Sequence, residues 1–271
     1  MNEYPEFQHV HFQALNRSDV IEAFPEWDKD IADQAWRKWL EYYLAKARIC
    51  YQAQLHNHYE IVWQHFCKVN GLSIDVPAGD YDDDGDTMAA WNGALRESGY
   101  TRHHSDYEEI RSDLDVYWRN VNPTNEIRWR TSGDMLAEYR SMLDAASSGK
   151  PHPTLLVRHV MEFWFNSVIS NPPDEVKRLR QLAYPDYLKT RHWAEVKTAM
   201  RIAHGAKCQG DQCQGFDSYW RDESHIHVHH MTYANKGNER YNDLRLLCES
   251  CHERAHKFGV QVVFARPGVN F

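Results

Sequence analysis

Apolar side chains recur every three to four positions in the first long segment of the chain, at Ile31, Ala35, Trp39 and Tyr42 or Tyr43, a spacing that places them on one face of an α-helix. Residues 28–69 contain neither Pro nor Gly, which predicts one long helix or two abutting helices, ended by Asn70-Gly71. Further helices are predicted at 88–97, 105–119, 133–147, 154–169 and 173–182, separated by segments rich in Pro, Gly and Asn. The region 1–183 is therefore predicted to be all-helical.

The pattern changes after Pro185. A helix is predicted at 186–203, short β-prone runs follow at Ile226–His229 and Val260–Phe264, and another helix is predicted at 249–258. We therefore predict a mainly α protein with a helical region at 1–183 and a small α+β domain at 184–271. Because this domain is too small for a large apolar core, a bound metal is expected to stabilise it.

Charge is distributed unevenly along the chain. The net charge is -8, but the segment 186–271 carries 12 Lys+Arg against 10 Asp+Glu, whereas the segment 1–185 carries 19 against 29. Contact with nucleic-acid phosphates is therefore expected in the C-terminal part. No apolar run long enough to span a membrane and no signal peptide is visible, so we expect a cytoplasmic protein without membrane association. In the cytoplasm, the six cysteines are expected to be thiols or metal ligands.

Four of the cysteines form two closely spaced pairs. Cys208-x4-Cys213 and Cys248-x2-Cys251 are separated by the segment 214–247, and two such pairs predict a tetrahedral, structural zinc site. The alternative is four buried free thiols. Cys50 and Cys67 lie in the long predicted helix and are expected to be small core residues.

Histidines provide a second candidate metal site. His229 ends a predicted strand, while His252 and His256 are spaced i, i+4 on a predicted helix, so that their imidazoles share one face. These three side chains are predicted to bind a divalent ion and to leave positions open for water and substrate. His230 follows directly and is predicted to be the general base.

Together these segments resemble a known family. The C-terminal part resembles an HNH endonuclease of the zinc-stabilised kind, and the similar segments are Val228–Tyr233, Gly237-Asn-Glu239, Asp243–His252 and His256. The lead-in helix of that family is similar to Tyr184–Trp193 together with Gly205–Cys208. The resemblance covers residues 184–258. It implies a ββα-metal domain that hydrolyses DNA and leaves a 5′-phosphate and a 3′-hydroxyl. It also implies His229, His252 and His256 as metal ligands and His230 as the general base.

One position departs from the family's pattern. The middle Asn of the family corresponds to Asp243, which Asn242 precedes. In the family this residue orients the base or braces the loop through hydrogen bonds. Either Asp243, the positional match, or Asn242, after a one-position shift, is expected to take this role.

DNA is the expected substrate, and its phosphates are expected to contact Lys236, Arg240, Arg245 and Arg254. A single site of this kind attacks one strand, so the predicted activity is nicking. The expected catalytic ion is Mg²⁺ or Mn²⁺, with Zn²⁺ and Ni²⁺ as alternatives. Analogy suggests phage or anti-phage defence, with the helical region binding a protein partner or regulating the nuclease. The alternative function is a non-catalytic zinc-stapled module that binds DNA or protein.

Two further motifs are expected to have no catalytic role. Asp80-x-Asp82-x-Asp84-Gly85 matches the start of an EF-hand loop, but the twelfth position is Trp91 rather than a bidentate Glu. An acidic, solvated loop is therefore expected. His225 and His227 are expected to be strand-surface residues or polar groups near the substrate.

Overall fold

The computed structural model describes residues 10–74, 85–98, 132–149, 151–205, 208–210, 213 and 226–258. Its helices are α1 (Arg17–Ala23), α2 (Lys29–Asn70), α3 (Gly85–Glu97), α4 (Ser132–Ser147), α5 (Pro153–Ile169), α6 (Pro173–Gln181), α7 (Tyr184–Tyr187), α8 (Arg191–His204) and α9 (Glu249–Phe258). Two strands, β1 (Ile226–His230) and β2 (Leu244–Cys248), form an antiparallel sheet. The predicted fold class, mainly helical with a small C-terminal α+β part, is confirmed. Within the described ranges, no helix combines the length and apolar character of a membrane span.

The hydrophobic pattern located most of these elements but did not predict strand β2. The long predicted helix is the single helix α2, and its end at Asn70 agrees with the Asn-Gly stop. The second strand lies at Leu244–Cys248, where the pattern predicted no strand. The predicted strand Val260–Phe264, the predicted helix 105–119 and most of the Asp-rich loop lie outside the described residues.

The chain divides into two compact units, one formed by residues 1–9 and 51–127 and the other by residues 10–50 and 128–271. The boundary at Cys50–Tyr51 falls inside α2. In the described part of the first unit, Trp63 and Trp91 pack edge to face with ring centroids 4.8 Å apart. The surrounding core residues are Val62, Phe66, Cys67, Ala94 and Leu95.

The core of the second unit is built around aromatic residues of α2 and α5. Trp39, Tyr43 and Trp164 are buried and in ring contact. The Tyr43 hydroxyl donates to Phe12 O at 2.7 Å, and Trp164 Nε1 donates to Gln13 O at 3.1 Å. These bonds satisfy polar groups that burial would otherwise make costly.

Helix α8 connects this core to the sheet, because it packs against both α5 and β2. The Thr190 side chain accepts from Trp193 N and begins the helix, which Gly205 ends at a positive φ. The Tyr42 hydroxyl donates to Ala203 O at 3.0 Å. Residues 10–50 and 151–183 therefore belong to the same compact unit as the C-terminal sheet. The functional division at residue 183 stays a prediction.

Candidate functional site

The strand register decides which side chains of β1 face which helix. His229 pairs with Arg245 and His230 pairs with Leu244 across the two strands. Because successive side chains of a strand point to opposite faces, His229 faces α9 while His230 faces α8. The imidazole of His229 lies against those of His252 and His256, whereas that of His230 stacks on Trp193.

The four paired cysteines converge as the spacing predicted. The Sγ atoms of Cys208, Cys213, Cys248 and Cys251 lie within 4.8 Å of one another. A tetrahedral zinc site with bonds of about 2.3 Å has sulfur–sulfur edges of about 3.8 Å, and Cys213 Sγ lies 3.7 Å from Cys248 Sγ. The donor set and its dimensions fit zinc.

Backbone N–H groups support the sulfur cluster. Gly210 N and Cys248 N donate to Cys208 Sγ at 3.3 and 3.2 Å. A Cβ on Gly210 would lie 2.6 Å from Cys251 Sγ, so only glycine fits beside the sulfur atoms. Arg254 Nη2 donates to Cys251 Sγ at 3.0 Å. This guanidinium, predicted to contact DNA, is therefore directed at the cysteine cluster.

The thiols differ in their acidity. Burial raises the pKa of Cys208 and of Cys251. Burial acts in the same direction on Cys248, but hydrogen bonds, first from the Ser250 side chain and then from Cys251 N, outweigh it and lower the pKa of Cys248 to about 7. Without a cation, the buried thiols therefore favour the protonated form, and zinc binding must release protons.

The three predicted histidine ligands also converge. One ring nitrogen from each of His229, His252 and His256 lies within 4.8 Å of the others. The Nε2 atoms of His252 and His256 are 3.2 Å apart, which agrees with the spacing of about 3.0–3.4 Å between two nitrogens on one ion at about 2.1 Å. His229 Nε2 is buried and lacks a hydrogen-bond partner among the described residues. Such an atom requires a partner, and a metal ion fits.

The histidine cluster favours neutral rings. Burial, reinforced by the neighbouring imidazoles, lowers the pKa of His229 and of His252 to about 4. Both rings are therefore unprotonated at neutral pH, as metal ligation requires. His229 is buried and His256 is exposed, so solvent reaches the cluster from the α9 side. His227 stacks on His252 with centroids 4.8 Å apart and lies outside the set of converging nitrogens.

His230 occupies an aromatic pocket on the other face of the sheet. Its residue is 3% exposed, and its ring lies between those of Trp193, at 4.7 Å and 13°, and Tyr233, at 4.9 Å and 24°. The Tyr184 hydroxyl is 3.4 Å from His230 Nδ1. Tyr184 and Tyr233 are 40% and 52% exposed, so the solvent side of this pocket is lined by tyrosines.

Glu239 contacts the other nitrogen of this imidazole. Glu239 Oε1 is 3.2 Å from His230 Nε2 and accepts from Gly237 N at 3.1 Å and from the Tyr187 hydroxyl. Glu239 Oε2 lies 2.7 Å from His192 Nε2. Burial would raise the pKa of Glu239, but these hydrogen bonds, led by His192 and His230, outweigh it and hold that pKa well below its usual range.

Asp243 and Asn242 make their described side-chain bonds elsewhere. Asp243 Oδ2 accepts from Arg240 N at 2.8 Å and from Asn235 Nδ2 at 2.9 Å, and Asp243 O accepts from Met231 N at 2.7 Å. Asn242 Nδ2 donates to Glu162 Oε1 at 2.7 Å. Neither side chain has a described hydrogen bond to His230. Asp243 therefore braces the loop between the strands, and the carboxylate beside the imidazole is that of Glu239.

The remaining predicted DNA contacts differ in their environment. Lys236 Nζ donates to Leu182 O at 2.7 Å, and Arg240 is exposed. Arg245 is half-buried, and burial, followed by repulsion from Arg158 on α5, lowers its pKa. Its Nη1 donates to Leu244 O at 2.7 Å. Within the described part of the chain, no carboxylate forms an ion pair with either Arg158 or Arg245.

Four residues near the site were given no role by the sequence patterns: Glu239, His192, Tyr187 and Arg158. Gly237-Asn-Glu239 is part of the motif, and a carboxylate so soon after a His-His pair was a usable signal. His192 and Tyr187 lie in the lead-in segment. Their contacts to Glu239 span 47 and 52 residues, and no local pattern reports such distances. His225 lies outside the described residues.

Comparison with known proteins agrees with this geometry. Residues 208–258 match the family model described as HNH endonuclease. The match contains the four cysteines, the three converging histidines, His230 and Glu239, which confirms the resemblance in the C-terminal region. Neither a curated protein nor a solved structure matches the chain.

Proposed function

We propose that this protein is a metal-dependent DNA endonuclease of the HNH type. One observation carries the proposal: ring nitrogens of His229, His252 and His256 converge on one face of the sheet, and the next residue, His230, is held against a buried carboxylate on the other. Three imidazoles with a solvent-exposed side resemble a catalytic metal site rather than a closed structural one. A cytoplasmic location agrees with four reduced cysteines that are poised for zinc.

Each residue has a chemical task in this reaction. His229, His252 and His256 would hold the divalent ion, which when bound stabilises negative charge on the phosphate. His230 takes a proton from water, and the resulting hydroxide attacks phosphorus. The bond to the 3′-oxygen breaks, and this oxygen takes a proton from solvent, which leaves a 5′-phosphate and a 3′-hydroxyl. Cys208, Cys213, Cys248 and Cys251 would hold a structural zinc that fixes α9 to β2.

The histidine site also suggests which ion is used in catalysis and how many DNA strands are cleaved. An all-imidazole set suits zinc, nickel or cobalt by affinity, while cellular abundance favours magnesium. We propose Mg²⁺ or Mn²⁺ as the working ion. One site addresses one phosphodiester bond, so the expected product is a nick. Arg245 and Arg158 would hold a neighbouring phosphate. A role in phage or anti-phage defence, with residues 1–183 binding a partner or regulating the nuclease, completes the proposal by analogy.

A plasmid assay tests this function directly. Supercoiled DNA is incubated with Mg²⁺ or Mn²⁺ and wild-type protein, His230→Ala, or His159→Ala, all at matched zinc content. His159 is an exposed histidine of α5 and serves as the control. We expect open circles from wild type and His159→Ala, and a rate about 10²–10⁴-fold lower for His230→Ala. Equal rates for all three proteins would refute the assignment of His230. Linear product at the earliest times would replace the nicking monomer with a dimer.

The cysteine cluster also supports a second function, a zinc-stapled module that binds DNA or protein without cutting. This cluster is complete without any of the three converging histidines. Metal analysis separates the two functions. The nuclease predicts one tightly held zinc per chain and a second, weakly held divalent ion that His252→Ala removes. The binding module predicts the zinc alone, together with DNA retention in the absence of cleavage.

A further inference from the structure

The carboxylate of Glu239 is surrounded by hydrogen-bond donors. Its side chain is 1% exposed, and its neighbours are the Tyr187 hydroxyl, Gly237 N, His230 Nε2 and His192 Nε2. An ionised carboxylate offers lone pairs only. Each nitrogen facing it must therefore carry a hydrogen, which constrains the tautomers of both imidazoles.

Asn171 fixes the state of His192. Asn171 Nδ2 donates to Gly237 O at 2.9 Å, and a carbonyl oxygen accepts only, so the orientation of this amide is set. The same Nδ2 lies 2.8 Å from His192 Nδ1, which must then present a lone pair. His192 is consequently a neutral imidazole with its proton on Nε2, donated to Glu239.

The carboxylate of Glu239 also constrains which nitrogen of His230 carries a proton. In the Nε2–H tautomer, which donates to Glu239, the lone pair of the ring is on Nδ1. This nitrogen faces the Tyr184 hydroxyl at 3.4 Å, on the side where the exposed rings of Tyr184 and Tyr233 border solvent. The His230 side chain itself is fully buried, so Nδ1 is the nitrogen on the tyrosine-lined side of the pocket, the side from which water would have to enter.

We infer that Glu239 is a positioning residue that selects the Nε2–H tautomer of His230 and so makes Nδ1 the atom that accepts the proton of the attacking water. The catalytic consequence rests on the proposed nuclease function, whereas the tautomer itself does not. During the reaction one proton moves from water to Nδ1. The Nε2 proton stays on His230, and the ionised carboxylate stabilises the imidazolium that forms. His192, fixed as a neutral donor by Asn171, keeps the carboxylate in place without competing as a cation.

Nitrogen NMR of the full-length, zinc-loaded protein tests the tautomer. Histidine is labelled with ¹⁵N, and the His230 ring signals are identified by their absence from His230→Ala. In wild type we expect a pyrrole-type shift at Nε2 and a pyridine-type shift at Nδ1. Glu239→Gln removes the charge and places an amide among donors, so the Nδ1–H form should appear. A wild-type ring with its proton on Nδ1 would overturn the inference, as would an unchanged tautomer in Glu239→Gln.

Two further variants separate positioning from folding. Asp186→Asn changes an exposed carboxylate of α7, beside Tyr187, and should keep both the tautomer and the cleavage rate of wild type. Tyr187→Phe removes one donor and leaves the carboxylate and its other three donors, so the tautomer should persist. If Tyr187→Phe changed the His230 signals as much as Glu239→Gln does, general disruption of the pocket would explain the effect and the inference would fail.

Cleavage gives the second readout. Glu239→Gln should lower the single-turnover rate about 10²–10⁴-fold, with the weakly held divalent ion still bound, because the converging histidines are unchanged. Loss of that ion in Glu239→Gln would assign the residue to the metal site and refute a positioning role. If wild type cut no DNA under any condition, the proposed function would fail, while the NMR result would still decide the tautomer.

Discussion

Gly237 is a position at which a single methyl group should disturb both stability and the candidate active site. Its φ is +85°, and a Cβ there would lie 2.8 Å from Leu179 Cβ and 3.4 Å from Val176 O. Leu179 is fully buried on α6, so the helix backbone would have to move. The left-handed conformation costs an alanine about 1–2 kcal/mol, and overpacking adds about 1–3 kcal/mol. Gly237→Ala should therefore lose about 2–5 kcal/mol of unfolding free energy.

Gly149→Ala is the matched control for this substitution. Gly149 has a φ of +65°, and a methyl group added there would have nothing within 4 Å, so this position carries the conformational cost without the clash. Urea unfolding at fixed zinc, followed by circular dichroism, measures both variants. We expect Gly149→Ala to lose about 1–2 kcal/mol. The difference between the two variants isolates the contact with Leu179.

The same substitution should also affect catalysis. Gly237 N donates to Glu239 Oε1, and Gly237 O accepts from Asn171, so a displaced backbone would loosen both bonds. Plasmid nicking should fall in Gly237→Ala and stay at the wild-type rate in Gly149→Ala. Equal destabilisation of the two variants would refute the close approach of α6 to this loop.

Three other predictions concern charge and metal. Burial, followed by repulsion from Arg245 and Arg158, lowers the pKa of His204 from 6.5 to about 3. Because the unfolded state binds this proton at a higher pH than the folded state does, the free energy of unfolding is highest above about pH 6.5 and falls as the pH drops toward 3. His204→Gln should therefore abolish about 2 kcal/mol of the loss of unfolding free energy between pH 7 and pH 5, measured by urea unfolding. Cys248→Ser should remove about one zinc per chain, measured by mass spectrometry of the metal. Arg158→Gln and Arg245→Gln should each reduce the slope of log K against log salt for DNA binding by about 1.

The zinc and DNA-binding predictions each have a control within the chain. Cys67 is buried in the core of the first unit and is not one of the four converging cysteines, so Cys67→Ser should retain the zinc. Arg96 lies in the last turn of α3 in that same unit, and Arg96→Gln should leave the salt slope of DNA binding unchanged. For His204, a pH dependence that survived substitution by glutamine would show that another group carries the acid sensitivity.

Local patterns were sufficient for helix α2 and for the ligand clusters, whereas the predicted helix 186–203 is two helices, α7 and α8. Helix α2 begins at Lys29 and ends at Asn70, next to the predicted limits, because the absence of Pro and Gly and the Asn-Gly stop are local signals. The i, i+4 pair on α9 and the two short cysteine spacings likewise fix most of the ligand geometry within single elements. The tertiary fold is needed only to bring the separate elements together, and two pairs of cysteines already imply that their elements meet at one zinc site.

Strand β2 shows where the local signal fails. Leu244-Arg-Leu-Leu-Cys248 contains no β-branched or aromatic residue, so its intrinsic preference for a strand is weak. Its conformation is set by partners on both edges: it pairs with β1, and Leu246 exchanges bonds with Gln209, with Gln209 N donating to Leu246 O at 2.7 Å and Leu246 N donating to Gln209 Oε1 at 2.8 Å. The resemblance to a ββα domain implies a second strand before the final helix, whereas the hydrophobic pattern alone does not predict one at this position.

The departure from the family's middle Asn has a structural explanation. That residue was expected either to orient the base or to brace the loop, and we infer that in this chain the two tasks belong to different side chains. Asp243 braces the loop with Oδ2 alone, a task that needs one acceptor oxygen, which Asp and Asn both possess. Orientation of His230 requires an acceptor facing Nε2, which Glu239 supplies from the same loop. Because Glu239 performs this second task, position 243 is free to be acidic.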